Sequence, residues 1–174
     1  KIEVLDSLVS KVDLLIIGGA MANPFLHAQG VDVGKSLYEP NMAEAAKEIL
    51  AKGAKAGCEV VLPIDAVTAA ECKDGAESQT VPLSAIPAAS MVLDLGPASV
   101  AELTAKLREY KTLLWNGPLG AFELTPFDKA TVAAAQAAGI RASDGKLIAV
   151  AGGGDTVAAL NHAEAADEFT FVST

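Results

Sequence analysis

Short apolar runs recur along this chain at Leu14 to Ile17, Val60 to Leu62, Met91 to Leu93, Leu113 to Trp115, Leu147 to Ala151 and Phe169 to Val172. Each is too short for a buried helix and lacks polar alternation, which is the pattern of a strand covered on both faces. Helical patterns lie between most of them. Ile2, Leu5, Leu8 and Val9 share one apolar face, and Met42 to Lys55 is an Ala-rich amphipathic run with Glu44 and Glu48 set against Lys47 and Lys52. Val100 to Leu107 and Ala130 to Ala138 continue the alternation. Strand followed by helix, repeated, implies a parallel sheet with helices on both faces. The expected fold is a three-layer α/β/α sandwich, Rossmann-like, on a six-stranded parallel sheet.

One segment breaks the rhythm. Asp65 to Leu83 places Val67, Thr68, Cys72, Thr80 and Val81 around Lys73-Asp74-Gly75, a turn signal between extended pieces, and reads as a small inserted β-hairpin. No repeat, low-complexity tract or linker interrupts the 174 residues, so residues 1–174 are expected to form one domain. The lack of an initiator Met before Lys1 and the strand pattern that runs to Thr174 suggest a piece of a longer protein.

Lys and Arg total 13 against 22 Asp and Glu, and a net charge of −9 repels nucleic acid and anionic lipid surfaces. An anionic ligand must therefore be held by local devices such as helix N-termini, glycine backbones, a lysine or a metal ion. Leu14 to Leu26, the strongest apolar stretch, is broken by Gly18, Gly19, Asn23 and Pro24 and falls short of the roughly 18 residues of a membrane span. Cys58 and Cys72 suit neither a metal pair nor a disulfide framework, which points to a reducing, cytoplasmic compartment.

Sheets of this kind bind ligands where the carboxyl ends of their strands enter the next helices. Gly, Asn and Asp crowd those ends here: Gly18 to Asn23, Asp94 to Pro97, Asn116 to Glu123 and Gly152 to Thr156. Gly152 to Gly154 would let a ligand approach the backbone, and Asp155-Thr156 would open a helix whose N–H groups face anions. Asp155 could hold Mg²⁺, which takes one or two carboxylates plus phosphate oxygens, or could simply cap the helix. Glu123 could bind sugar hydroxyls or be a solvated charge. Gly18-Gly19 could serve a ligand, packing or turn geometry.

Gly30 to Ser36 looks like a Walker A loop but has one residue too few between its glycines and follows a helical run rather than a strand. Gly152-x-Gly154 starts like a dinucleotide fingerprint, yet Val157 occupies the third glycine position. That argues against an NAD-binding sheet. His27 and His162 have no partner at catalytic spacing and are expected to be structural.

The strings KIEVLDSLVSKVDLLIIGGAMAN, GVDVGKSL, LDLGPAS, LWNGPLGAFE and AGGGDT, in this order and covering nearly the whole chain, closely resemble phosphoglycerate kinase. Ala20 stands where many members have another Gly, and Pro24 where they usually have Thr. The resemblance implies the nucleotide-binding, C-terminal domain, and a parent enzyme of glycolysis that moves a phosphoryl group reversibly between 1,3-bisphosphoglycerate and ADP with Mg²⁺. By that resemblance Gly18, Gly19, Leu37, Leu93 and Ala121 would surround adenine and Glu123 would hold ribose. Asn116, Gly153, Gly154 and Thr156 would take the phosphates, Asp155 the magnesium, and Lys1 would contact the phosphates, so Lys1 and Asp155 carry the expected catalytic roles. The 3-phosphoglycerate side would come from an N-terminal domain outside this chain. A chain of this extent should then bind ATP or ADP as a monomer without completing the reaction, the alternative being a non-catalytic nucleotide-binding module.

Overall fold

A computed structural model describes residues 2–173. The N-terminal part contains α1 (Ile2–Leu8), β1 (Leu14–Ile16), α2 (Ala22–Ala28), α3 (Met42–Ala56) and β2 (Glu59–Val61). Helix α3 buries Ala46, Ile49 and Gly53, the spacing of one helical face, and Gly57 stops it in the left-handed conformation at φ 77°. Gly53 sits mid-helix at a cost of about 1 kcal/mol relative to Ala. A Cβ there would lie 2.9 Å from Val9 Cγ2 and 3.1 Å from Val60 Cγ2, so the glycine permits the close approach of α3 to the chain beneath it. Val9, Leu15, Phe25 and Ile49 close this core. Burying a side chain as large as Phe25, which is fully covered, stabilises by roughly 1.5–3 kcal/mol.

The remainder contains β3 (Asp65–Ala69), β4 (Ser78–Pro82), β5 (Met91–Leu95), α4 (Pro97–Leu107), β6 (Thr112–Asn116), α5 (Lys129–Ser143), β7 (Ile148–Gly152), α6 (Gly154–His162) and β8 (Phe171–Ser173). Its core packs Leu103, Leu107, Trp115, Leu160 and Phe169 against the alanine face of α5. Ala130, Ala134, Ala135 and Ala138 are small enough for that helix to lie close on the strands.

The strands do not form one six-stranded parallel sheet. β1 pairs with β2 and β6–β7–β8 pair together, all in parallel, while β5 joins β3 and β4 in an antiparallel sheet of order β4-β3-β5. The reason lies in the hairpin inserted before β5: its first strand, β3, lies between β4 and β5 and runs antiparallel to both, so the hairpin takes the edge of β5. The apolar run Met91 to Leu93 is therefore a strand, as expected, but its partner is the inserted hairpin. Asp65 to Leu83 forms that hairpin, with Gly75 at φ 74° in its connection. Its tip is tied down: Thr125 N donates to Asp74 Oδ1 and Gly75 N donates to Thr125 O, both at 2.7 Å. Among the described residues no helix is long and apolar enough to cross a membrane.

Candidate functional site

The carboxyl ends of β6, β7 and β8 finish level, because Asn116 pairs with Gly152 and Gly152 pairs with Ser173. Two polar loops leave this edge side by side. Gly153 takes φ 97°, a conformation that a side chain would strain, and its amide donates to Ser173 O at 3.1 Å. Gly117 takes φ 96° after β6, and its amide donates to the Thr156 hydroxyl oxygen at 2.7 Å. That bond joins the loops. Thr156 is 1% exposed, so its side chain works first as a tie between them.

Gly153, Gly154 and Asp155 are exposed at the start of α6, and Gly153 occupies the N-cap position with no side-chain cap bond. Asp155 is not the N-cap residue but lies inside the first turn, where its carboxylate also favours the helix start. With the Gly153 amide committed to Ser173 O, the start of α6 at Gly154 and the one exposed carboxylate of Asp155 suit a phosphate carrying a hard cation. Among the described residues no group of three or more His, Cys, Asp or Glu could hold a metal by protein ligands alone. Asn116 and Glu123 are also exposed, and the Asn116 amide nitrogen is 3.7 Å from where a Gly153 Cβ would stand.

The loop after β6 is pinned at successive points. Trp115 Nε1 donates to Gly117 O at 2.5 Å, Leu119 N donates to Thr131 Oγ1 at 3.1 Å, and Ala121 N donates to Leu93 O at 2.8 Å. Leu93 is thus buried beneath Ala121. From the other side Gly18 and Gly19 dock on the same loop: a Cβ on Gly18 would lie 2.7 Å from Leu119 Cδ2, and one on Gly19, at φ 63°, would lie 2.9 Å from Pro118 O. Packing and turn geometry account for both glycines and bring the β1 end to the β6 end. Leu37 is a side chain 86% exposed, its carbonyl held by Asn23 Nδ2 at 3.0 Å and its neighbour Ser36 accepting from Val92 N, next to Leu93, at 2.8 Å. Lys1 lies outside the described residues.

The segment Gly30 to Ser36 follows α2, and no helix begins directly after it. A cavity of about 280 Å³ beside it, lined by His27, Val31, Asp32 and Tyr38 among others, is away from the strand ends. His27 stacks on Tyr38 at 4.6 Å, and His162 Nε2 lies 2.9 Å from Asp128 Oδ2, so both histidines have ordinary partners.

One residue carries more than its sequence position announced. Asp94, at the end of β5, is 1% exposed; its Oδ2 accepts from Ala130 N at 3.1 Å, while Oδ1 has no partner. Burial pushes its carboxyl up to about 7, with Asp128 adding to the rise and the amides of Ala130 and Leu95 and the charge of Lys129 opposing it. Only the surplus of polar residues at strand ends hinted at it.

The phosphoglycerate kinase family profile matches residues 1–174. The phosphoglycerate kinase of Methylobacterium radiotolerans is 62% identical over 174 residues, and that of Sinorhizobium fredii 63% over 174 residues. Both matches cover all of this chain and 44% of the relative's length. The solved phosphoglycerate kinase of Coxiella burnetii superposes with a TM-score of 0.94 at 37% identity, again over 100% of this chain and 44% of that one. The profile spans the chain from end to end and the fold follows a solved member throughout, so this chain belongs to the phosphoglycerate kinase family.

Proposed function

We propose that residues 1–174 are the nucleotide-binding, C-terminal domain of a phosphoglycerate kinase and that they bind Mg-ADP and Mg-ATP at the carboxyl ends of β6, β7 and β8. The observation that carries this reading is the 2.7 Å bond from Gly117 N to the Thr156 hydroxyl, which couples the Asn116 loop to the glycine loop opening α6. The exposed glycine turn at Gly153 and Gly154, which opens α6, and Asn116 beside it suit the phosphates. Asp155, exposed in the first turn of α6, suits Mg²⁺. Glu123 is exposed where the ribose would lie, and Gly18, Gly19, Leu37, Leu93 and Ala121 would form the adenine side. Lys1 would add a cation to the phosphates.

In the intact, cytoplasmic and monomeric enzyme the reaction would be reversible phosphoryl transfer between 1,3-bisphosphoglycerate and ADP, giving 3-phosphoglycerate and ATP. Bound Mg²⁺ would neutralise charge on the transferred group. The chain's own share is positioning: fixed backbone N–H groups meet the spread charge of a metaphosphate-like transition state without a covalent intermediate. The acyl-phosphate side would come from an N-terminal domain, so the chain alone binds nucleotide but does not turn over. Calorimetric titration with Mg-ADP and an assay of 3-phosphoglycerate-dependent ATP consumption test both halves. Binding without turnover is expected; robust turnover by material of verified mass would overturn the division of labour, and absence of nucleotide binding would overturn the site.

A further inference from the structure

Every second residue of the Gly117–Ala121 loop is fixed by a backbone bond, at Gly117, Leu119 and Ala121, and beneath the remaining stretch lies Asp94. A Cβ on Gly120 would overlap Asp94 Oδ1 and come within 2.7 Å of Leu93 O. The backbone of Gly120 therefore rests directly on the carboxyl group. The other oxygen of that carboxyl accepts from Ala130 N, in the first turn of α5. One buried side chain thus spans the gap between the loop and the helix, and the adjacent Leu93 carbonyl holds Ala121.

We propose that Asp94 is a positioning residue of the nucleotide site: without touching the ligand, its buried carboxyl sets the height of Gly120 and Ala121 above β5 and joins them to the start of α5. This inference rests on the nucleotide reading above. The group performs this role in its neutral form. A neutral carboxyl can lie against the Gly120 backbone without a counter-charge, whereas an ionised one would leave Oδ1 charged, buried and unpartnered. The charged groups acting on it are Asp128 and Lys129 at the start of α5, and Asp128 is itself paired with His162. Its strand partner Val67 on β3 and the loop residues Gly120 and Ala121 carry no titrating group. Ionisation should therefore lift the loop and weaken nucleotide binding as pH rises through about 7.

The test is Mg-ADP affinity of the wild type and of Asp94→Asn between pH 5.5 and 8.5, with amide NMR of Ala121 and Ala130. Asn has the same shape and stays neutral, so the two proteins should agree within about twofold at pH 6, while the wild type should bind several-fold more weakly than the variant at pH 8.5. Gly120→Ala should weaken binding at least tenfold at both pH values. Comparison with the variant removes the titration of ADP itself. Superimposable pH profiles for the two proteins would sink the positioning role even with tight wild-type binding. No wild-type binding at any pH would instead sink the nucleotide reading. In that case the Ala121 and Ala130 amide shifts still decide the clamp: they should move together with one midpoint near neutrality in the wild type and not in Asp94→Asn, and unmoved shifts would overturn it.

Discussion

Asp65 on β3 and Asp94 on β5 are buried carboxyl groups on neighbouring strands, each set under the first turn of a helix and each facing a glycine. Asp65 accepts from Ala98 N and Ser99 N at 2.9 Å each and from the Ser99 hydroxyl at 2.6 Å. Asp94 Oδ2 accepts from Ala130 N at 3.1 Å, and Oδ1 is unpartnered. A Cβ at Gly96 would overlap the first carboxyl, and one at Gly120 the second. The two sites share burial and helix ends, and they differ in donors. Donors decide how firmly a buried carboxyl is held to its helix.

The largest expected effect is at Asp94. The Asp94 carboxyl is held at about 7 against an ordinary value of 3.8, so the folded state keeps a proton that the unfolded state loses. Its stabilising contribution is therefore present in full below about 3.8 and is lost as pH rises to about 7. Over that window the shift corresponds to a swing of up to ~4 kcal/mol. Urea melts of wild type and Asp94→Asn should diverge in favour of the variant as pH rises from 4 to 8; parallel curves would show that the carboxyl never titrates in the folded protein.

Asp65→Ala is next, at about 3 kcal/mol of lost stability at neutral pH, because two helix amides and a buried hydroxyl lose their acceptor together. A loss below ~1 kcal/mol would mean that water replaces the carboxylate and that the two sites are less different than their bonds suggest. Thr156→Val should cost about 1–3 kcal/mol by leaving the Gly117 amide unpaired, and should also weaken nucleotide binding if that bond couples the loops. A stable variant with unchanged binding would break the coupling argument.

The smallest stability effect is expected at Asp155→Asn, well under ~1 kcal/mol, because the side chain is exposed and the N-cap position of α6 belongs to Gly153. Its consequence should appear in the ligand instead. The amide is a poorer ligand for a hard cation, so Mg²⁺ should strengthen ADP binding less in the variant than in the wild type. Equal Mg²⁺ dependence would remove Asp155 from the metal.

Much of the fold was legible because burial has a period. All six apolar runs became strands, and the helices over Ile2, Met42, Val100 and Ala130 fall where their patterns lay. Partnership was less legible, since an apolar run states that a strand is covered and not by what. Met91 to Leu93 found the hairpin, and the single six-stranded sheet became three hydrogen-bonded sets. At the site, the glycine loops were visible as composition. The role of Gly120, however, depends on a carboxyl 26 positions earlier in the chain, and the buried tie from Thr156 to Gly117 spans 39 positions. Such pairings have no local signal.

The central claim is that the level ends of β6, β7 and β8 receive a magnesium-bound nucleotide. Titration of this chain with Mg-ADP, followed residue by residue through its amide resonances, tests it most directly. The account predicts the largest shifts at Asn116, Gly117, Gly153 and Gly154, smaller ones at Gly18, Gly19 and Ala121, and little change at Gly30 and Val31 beside the α2 cavity. Saturable shifts confined to Gly30, Val31 and their neighbours, with Gly153 and Gly154 unmoved, would contradict it.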